Sequence, residues 1–311
     1  MRLLPLLALI PLSIALIGLT SLTGCVSVRP FSEIRKEVPP KQFLSLHGRL
    51  VHVEQVGAGE PVVLLHGFGA STYSWRKVMP ELTTRFRVIA IDLNGFGYTE
   101  RPSDLASYTR EGQGRLVLEV MDALGIQRAH IVGHSYGGGI TMWLAAYHPD
   151  RFLSMVLTDS SAPTYSYDRR SRIASLKPLT SLFLRSVVLR PATVRKSLLR
   201  SFHDPAQVTP ELVQAYFDRI RVEGVVDAYY GLTIPVRGPI DKVDLAKIEV
   251  PALVVWGSDD QIVSLPDARR GTSVLPHGRF VVIPDTGHIP MEEKPAEWLR
   301  IVMPFLTGDR S

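Results

Sequence analysis

The chain of 311 residues holds a single cysteine, Cys25. One thiol excludes an internal disulfide framework and a zinc site built from thiolate pairs. Its nine histidines form no ligand pattern such as HExxH, so neither a metal nor a cofactor is expected. Internal repeats and low-complexity tracts are also missing, which excludes an array. Acidic residues are absent from Arg169 to His203, a segment with nine lysines and arginines. The formal net charge of +5 therefore has one local source, and the rest of the chain is mildly acidic. What is present is ordinary for a globular protein: 45% hydrophobic and 21% charged residues. This length buries a sizeable core as one large domain, or one domain with an insertion.

The first residues read as an export signal. Arg2 and the amino terminus are positive, and Leu3 to Leu19 form an apolar run broken by Pro5 and Pro11. The alternative is a retained membrane span, which two prolines and a small-residue end disfavour. The run ends Leu22-Thr23-Gly24-Cys25, which resembles the lipobox of bacterial lipoproteins. That resemblance implies a signal peptide over residues 1–24 and a lipid-modified Cys25. Each buried methylene of such a lipid contributes roughly 0.8 kcal/mol of membrane attachment. Val26 stands where enterobacterial retention would place Asp, which implies the periplasmic side of the outer membrane. Residues 25–40, with Pro30, Pro39 and Pro40, read as a tether.

Beyond it, Phe43–Gln55 alternates apolar and polar residues around His47-Gly48, a hairpin pattern. Val62–Leu65, Val88–Ile91, Ala129–Val132, Met155–Leu157, Ala252–Trp256 and Phe280–Ile283 are short apolar runs, the pattern of buried parallel strands. Helical patterns lie between and after them: Ser74–Leu82, Gln113–Leu124, Gly139–Tyr147, Pro266–Val274 and Pro295–Phe305. This alternation predicts an α/β protein with a mostly parallel sheet flanked by helices. It breaks over residues 162–244, which read as a helical cap inserted after the sixth strand. Residues 41–161 and 245–311 then form the core.

The strongest chemical signal is Gly133-His134-Ser135-Tyr136-Gly137, placed between a strand and a helix. This context makes Ser135 the candidate nucleophile on a tight, strained turn. The Tyr136 N–H, at the start of the helix, faces developing negative charge. Asp285-Thr286-Gly287-His288-Ile289-Pro290 follows the last strand and offers His288 as base. Trp256-Gly257-Ser258-Asp259-Asp260 follows the strand before it, and one of its two aspartates should orient His288. His66-Gly67-Phe68-Gly69 follows Val62–Leu65 and supplies the Phe68 N–H as second oxyanion donor. His66 and His134 read as buried loop residues, and Asp92 as a loop-shaping one.

Together HGFGAS (His66–Ser71), DLNGFGYTERP (Asp92–Pro102), GHSYGG (Gly133–Gly138), WGSDDQIV (Trp256–Val263) and DTGHIP (Asp285–Pro290) resemble the capped α/β-hydrolases. This group holds esterases, lipases, C–C bond hydrolases, epoxide hydrolases and haloalkane dehalogenases. The resemblance covers roughly Phe43 to Leu306. It implies the α/β-hydrolase fold and a catalytic set of Ser135, Asp260 and His288, with Phe68 and Tyr136 as oxyanion hole. The acid is the fourth residue from Gly257 in the family pattern, which gives Asp260 over Asp259. Some members place it after the preceding strand, which here gives Asp159.

A serine that attacked an sp³ carbon would stop at a stable ether, so Ser135 argues against dehalogenase and epoxide chemistry. Attack on a carbonyl suits it, and the expected function is carboxylic ester hydrolysis through an acyl-enzyme. Serine C–C hydrolases and perhydrolases are alternatives. The former often carry Asn and Met around the nucleophile, where this chain has His134 and Tyr136. A catalytically silent binding lipoprotein is the alternative from another class. The basic segment, from Arg169 through Arg185, Arg190 and Arg195 to Arg200, is interleaved with leucine, valine and phenylalanine. It reads as solvated cap helices, or as a cap resting on an anionic membrane beside the lipid anchor. Expected partners are a small-molecule or lipid-like ester and a membrane. An exported protein is removed from nucleic acid, so none is expected.

Overall fold

A computed structural model describes residues 27–160, 177–233 and 243–308. The leader, Cys25 and the cap residues Tyr165, Arg169, Arg170 and Arg172 lie outside the described residues. Eight strands form one sheet: β1 (Phe43–Leu46), β2 (Arg49–Val56), β3 (Glu60–Leu65), β4 (Phe86–Ile91), β5 (Ala129–His134), β6 (Phe152–Thr158), β7 (Ala252–Gly257) and β8 (Gly278–Ile283). Their order is β1-β2-β4-β3-β5-β6-β7-β8. Only β2 runs against its neighbours. The hairpin from β1 to β2 turns at His47 and Gly48, both at positive φ (51° and 78°), the backbone of a tight two-residue turn.

The strands are apolar on both sides because both faces are covered. Val63, Leu65, Ile131, Met155, Leu157 and Val254 join one core with helices α3 (Arg110–Ala123) and α4 (Tyr136–Tyr147). Val62, Leu64, Val132, Val156, Leu253 and Val255 join the other, with Trp75 and Trp298. Odd and even positions of one strand thus serve opposite cores, as the two-residue period requires.

Two expectations change. The helix read over Ser74–Leu82 is a 3₁₀ turn, Thr72–Trp75, followed by a short helix at Met79–Leu82. Ser71 caps the first turn through its Oγ, and Pro80 has no N–H to continue a helix through the second. The tether is also folded over its described part. Helix α1 (Phe31–Glu37) buries Ile34 completely, against Val38 and Val222. Arg29 pairs with the backbone around Val222: its N–H donates to the Arg221 carbonyl (2.7 Å) and its carbonyl accepts from Glu223 (2.8 Å). The prolines punctuate this segment rather than loosen it. Pro30 caps α1, and Pro39 and Pro40 open a 3₁₀ turn.

Taking Met79–Leu82 as α2, the helices between β6 and β7 among the described residues are α5 (Lys177–Val188), α6 (Pro191–Ser201), α7 (Pro210–Ile220) and α8 (Val225–Thr233). The core resumes with α9 (Leu265–Thr272), α10 (Pro290–Glu293) and α11 (Pro295–Leu306). Strand order reverses at β3, with β4 on one side and β5 on the other. Ligands of open parallel sheets lie beyond the carboxyl ends of strands at such a switch point.

Candidate active site

Ser135 occupies the turn between β5 and α4 with φ 49° and ψ −114°. An L-residue pays conformational strain there, and the surroundings must hold it. Its N–H donates to the Thr158 carbonyl (3.0 Å), and its carbonyl accepts from Gly138 (3.0 Å). Any side chain at Gly137 would collide with the carbonyls of Leu65 and His66, so α4 can start this close to β3 only on glycine. Tyr136 opens α4 directly after Ser135, and the Phe68 ring meets the Tyr136 ring edge-on at 6.1 Å.

His288 follows β8 and Asp260 follows β7. The His288 Nδ1 and Asp260 Oδ2 are 2.8 Å apart, with both side chains almost wholly buried. A carboxylate only accepts, so Nδ1 carries the proton and Nε2 keeps the lone pair of a base. The other Asp260 oxygen accepts from the N–H groups of Ile262 (2.7 Å) and Val263 (3.1 Å), which fixes the carboxylate's orientation. Burial works to raise its pKa. The His288 hydrogen bond and charge outweigh that and hold Asp260 below the usual carboxylate range. Asp259 instead accepts from the Ser258 hydroxyl (2.5 Å) at an exposed position.

Asp159 directly follows β6 at φ 41° and is fully buried. One oxygen accepts from the Gly257 N–H (3.0 Å). The ligating atoms of Asp159, Asp260 and His288 all lie within 4.8 Å of one another. Burial, then the Asp260 charge, pushes Asp159 well above the ordinary range. Asp260 is the carboxylate bonded to His288, and Asp159 stands beside it. Among the described residues this trio is the one grouping with metal-ligand atoms. Its His288 Nδ1 is already taken by Asp260.

Four further hydrogen bonds hold the loop of His288 in place. The His134 Nε2 donates to the His288 carbonyl (2.7 Å). Burial and then the neighbouring His288 depress the His134 pKa to about 3, so its ring is neutral. The His288 N–H donates to the Ser201 carbonyl at the end of α6 (2.6 Å). Glu293, in α10, accepts from the Gly287 N–H through Oε2 (2.7 Å) and from the Asp204 N–H through Oε1 (2.7 Å). A side chain at Gly287 would strike the Ser201 carbonyl and the His203 N–H, so glycine lets the helices after β6 meet the histidine loop. The position between Gly133 and Ser135 was a signal for the first contact. Nothing local signals the contacts to Ser201 and Asp204, whose partners are more than eighty residues away.

His66 and Asp92 lie off the cavity. The His66 Nδ1 donates to the Gly67 carbonyl (2.7 Å), and its Nε2 accepts from the Leu93 N–H (3.1 Å). Asp92 accepts from the N–H groups of Thr72 (2.7 Å) and Tyr98 (2.8 Å) and contacts the His52 Nδ1 (2.7 Å), which ties the segments after β3 and β4 to strand β2.

Ser135, His288 and Phe68 line one cavity of about 340 Å³. Its far walls come from α5, α6 and α8, through Leu184, Val188, Val194, Leu198 and Tyr229. Among the described residues, no lysine, arginine, aspartate or glutamate lines it.

A serine at a strand-to-helix elbow, a carboxylate-bonded histidine and a helical layer over a parallel sheet define a capped hydrolase. The chain belongs to the alpha/beta hydrolase fold family, whose pattern it matches over residues 60–295. It is 29% identical over 268 residues to 2-hydroxy-6-oxo-6-phenylhexa-2,4-dienoate hydrolase of Comamonas testosteroni, covering 83% of this chain and 91% of the relative. Solved structures are similar as well. A thermophilic esterase from Thermogutta terrifontis has a TM-score of 0.68 and 25% identity, over 87% of this chain and 98% of that one. A membrane phospholipase A has a TM-score of 0.67 and 26% identity, over 90% of this chain and 91% of that one.

Proposed function

We propose that this hydrolase cleaves carboxylic esters with Ser135 as nucleophile, His288 as base and Asp260 as orienting acid. The amides of Phe68 and Tyr136 receive the oxyanion. An acyl-enzyme forms on Ser135 as the alcohol leaves with the proton that His288 took. Water activated by His288 then releases the acid. The observation that carries this reading is the Ser135 elbow opening, with His288, onto a cavity without a charged wall among the described residues. A neutral acyl chain suits such a wall.

C–C bond hydrolysis is the second reading, favoured by relatives such as the dienoate hydrolase. A dienoate carries a carboxylate, and burying one beside leucine and valine without a cation is costly. The test is a p-nitrophenyl ester series from acetate to palmitate on wild type and Ser135→Ala, run beside a vinylogous diketone. Ester turnover is expected, with loss of at least about 10³-fold in Ser135→Ala. Turnover of the diketone alone would replace the ester reading with the second.

We further propose export and lipidation at Cys25, supported by the apolar leader and its lipobox-like end. Among the described residues, no helix is long and apolar enough to cross a membrane. Labelled palmitate fed to an expressing bacterium should mark the wild type and leave Cys25→Ser unmarked. Equal labelling of the two would remove the anchor.

A further inference from the structure

Helix α5 has two apolar faces. Leu184 and Val188 turn inward and line the cavity beside Ser135. Leu179, Leu182 and Phe183 turn outward, 54%, 67% and 63% exposed. These are the three most exposed large apolar side chains among the described residues. Their spacing places them on one stripe of the helix. Arg185, on α5, and Arg190, Arg195, Lys196 and Arg200, on or beside α6, are all exposed. None has an acidic partner among the described residues, whereas Lys177 pairs with Asp227 at 3.0 Å. No acidic residue stands between Lys177 and His203.

The start of the described chain lies on the same helical layer. The Arg221 Nη1, between α7 and α8, donates to the Ser27 carbonyl (3.2 Å). Cys25 is two residues upstream in sequence. A lipid on Cys25 would therefore hold this layer, rather than the opposite end of the sheet, to the bilayer.

From these features we infer that the outer face of α5, with the basic residues of α5 and α6, docks on an anionic lipid bilayer. The leucine and phenylalanine side chains enter the headgroup boundary, and the cations face the lipid phosphates. A surface with cations and no anions, rimming an apolar stripe, is complementary to such a membrane. The substrate class follows if the ester reading holds: acyl esters of membrane lipids, passing along α5 from the bilayer into the cavity on its other face.

The test uses the full chain carrying Cys25→Ser and one new thiol labelled with the environment-sensitive fluorophore NBD. The thiol is placed by Leu182→Cys, or by Val56→Cys as control. Val56 pairs with Val88 near the start of β4, at the end of the sheet away from Ser135, and is 53% exposed. Vesicles of phosphatidylcholine with phosphatidylglycerol should shift emission to the blue at position 182 and not at 56. Each cation near an anionic surface is worth about a fivefold change in partition, so adding Arg185→Glu, Arg190→Glu and Arg195→Glu should weaken the response by at least about 100-fold.

Equal shifts at both positions, or a shift at 182 that ignores phosphatidylglycerol, would overturn the proposal. So would a shift without vesicles that grows with protein concentration, which would make the occupant a second copy of the chain. The readout is binding, so it stands apart from catalysis. A docking protein without ester turnover loses only the ester reading. Ser135-dependent turnover without docking loses only this one.

Discussion

Glu293 commits both carboxylate oxygens to backbone donors: one to the N–H just before His288, the other to Asp204 beyond α6. A glutamine offers only one oxygen, and its NH₂ would face an N–H across a buried gap. Glu293→Gln is therefore no neutral isostere here. An orphaned buried donor costs about 1–3 kcal/mol. Since one of the two donors belongs to the histidine loop, the displacement reaches His288. We expect kcat on the preferred substrate to fall about 10- to 100-fold with a smaller change in KM. Steady-state kinetics beside urea unfolding checks this, and lower stability with unchanged kcat would make Glu293 purely structural. Side chains differ in how far sequence exposes them. Ser135 and His288 stand in local motifs whose glycines reflect the backbone geometry. Asp260 and Asp259 are adjacent in sequence, and only the turn that bonds Asp260 to Ile262 and Val263 separates their roles. The Ser201 carbonyl and the Asp204 N–H belong to no local pattern, since their partners, His288 and Glu293, are distant in sequence.

At the scale of elements, the parallel strands were readable because burial on two faces leaves an uninterrupted apolar run. The His47-Gly48 turn was readable because alternation on both sides fixes the register. Residues 27–42 were not, because three prolines outweighed a quieter signal. Phe31, Ile34 and Val38 recur at helical spacing, and that stripe is the face α1 buries. Residues Ser74–Leu82 failed in the opposite sense. Their apolar spacing suits one helix, but Pro80 lacks the donor that would join its two turns. The helices between β6 and β7 were legible as helical, yet not in their arrangement. That α5 presents apolar residues on two faces appears only once α6 and α8 stand against it. The link from sequence to function is thus strongest where chemistry and backbone coincide, at the elbow, and weakest where helices share a wall.

For the whole molecule, two buried groups near His288 make stability depend on pH with opposite signs. The folded-state pKa of His134 is depressed from 6.5 to about 3, by burial first and His288 second. Between those values the unfolded chain binds the proton and the folded one does not, so falling pH favours unfolding. The slope is about 1.4 kcal/mol per pH unit for one such group. His134→Gln keeps a donor for the His288 carbonyl and removes the titration. Asp159 is raised above 3.8, by burial and then by Asp260, so its folded form holds a proton that the unfolded chain releases. Its contribution is present below the ordinary carboxylate value and is lost as pH rises through the folded value. Asp159→Asn keeps the acceptor for Gly257 and never ionises. Urea unfolding from pH 4.5 to 9 should show His134→Gln flatter than wild type below pH 6.5. The stability of Asp159→Asn relative to wild type should rise steadily with pH. Curves parallel to wild type throughout would mean that neither group resists its charged form, and that water reaches the space behind Ser135.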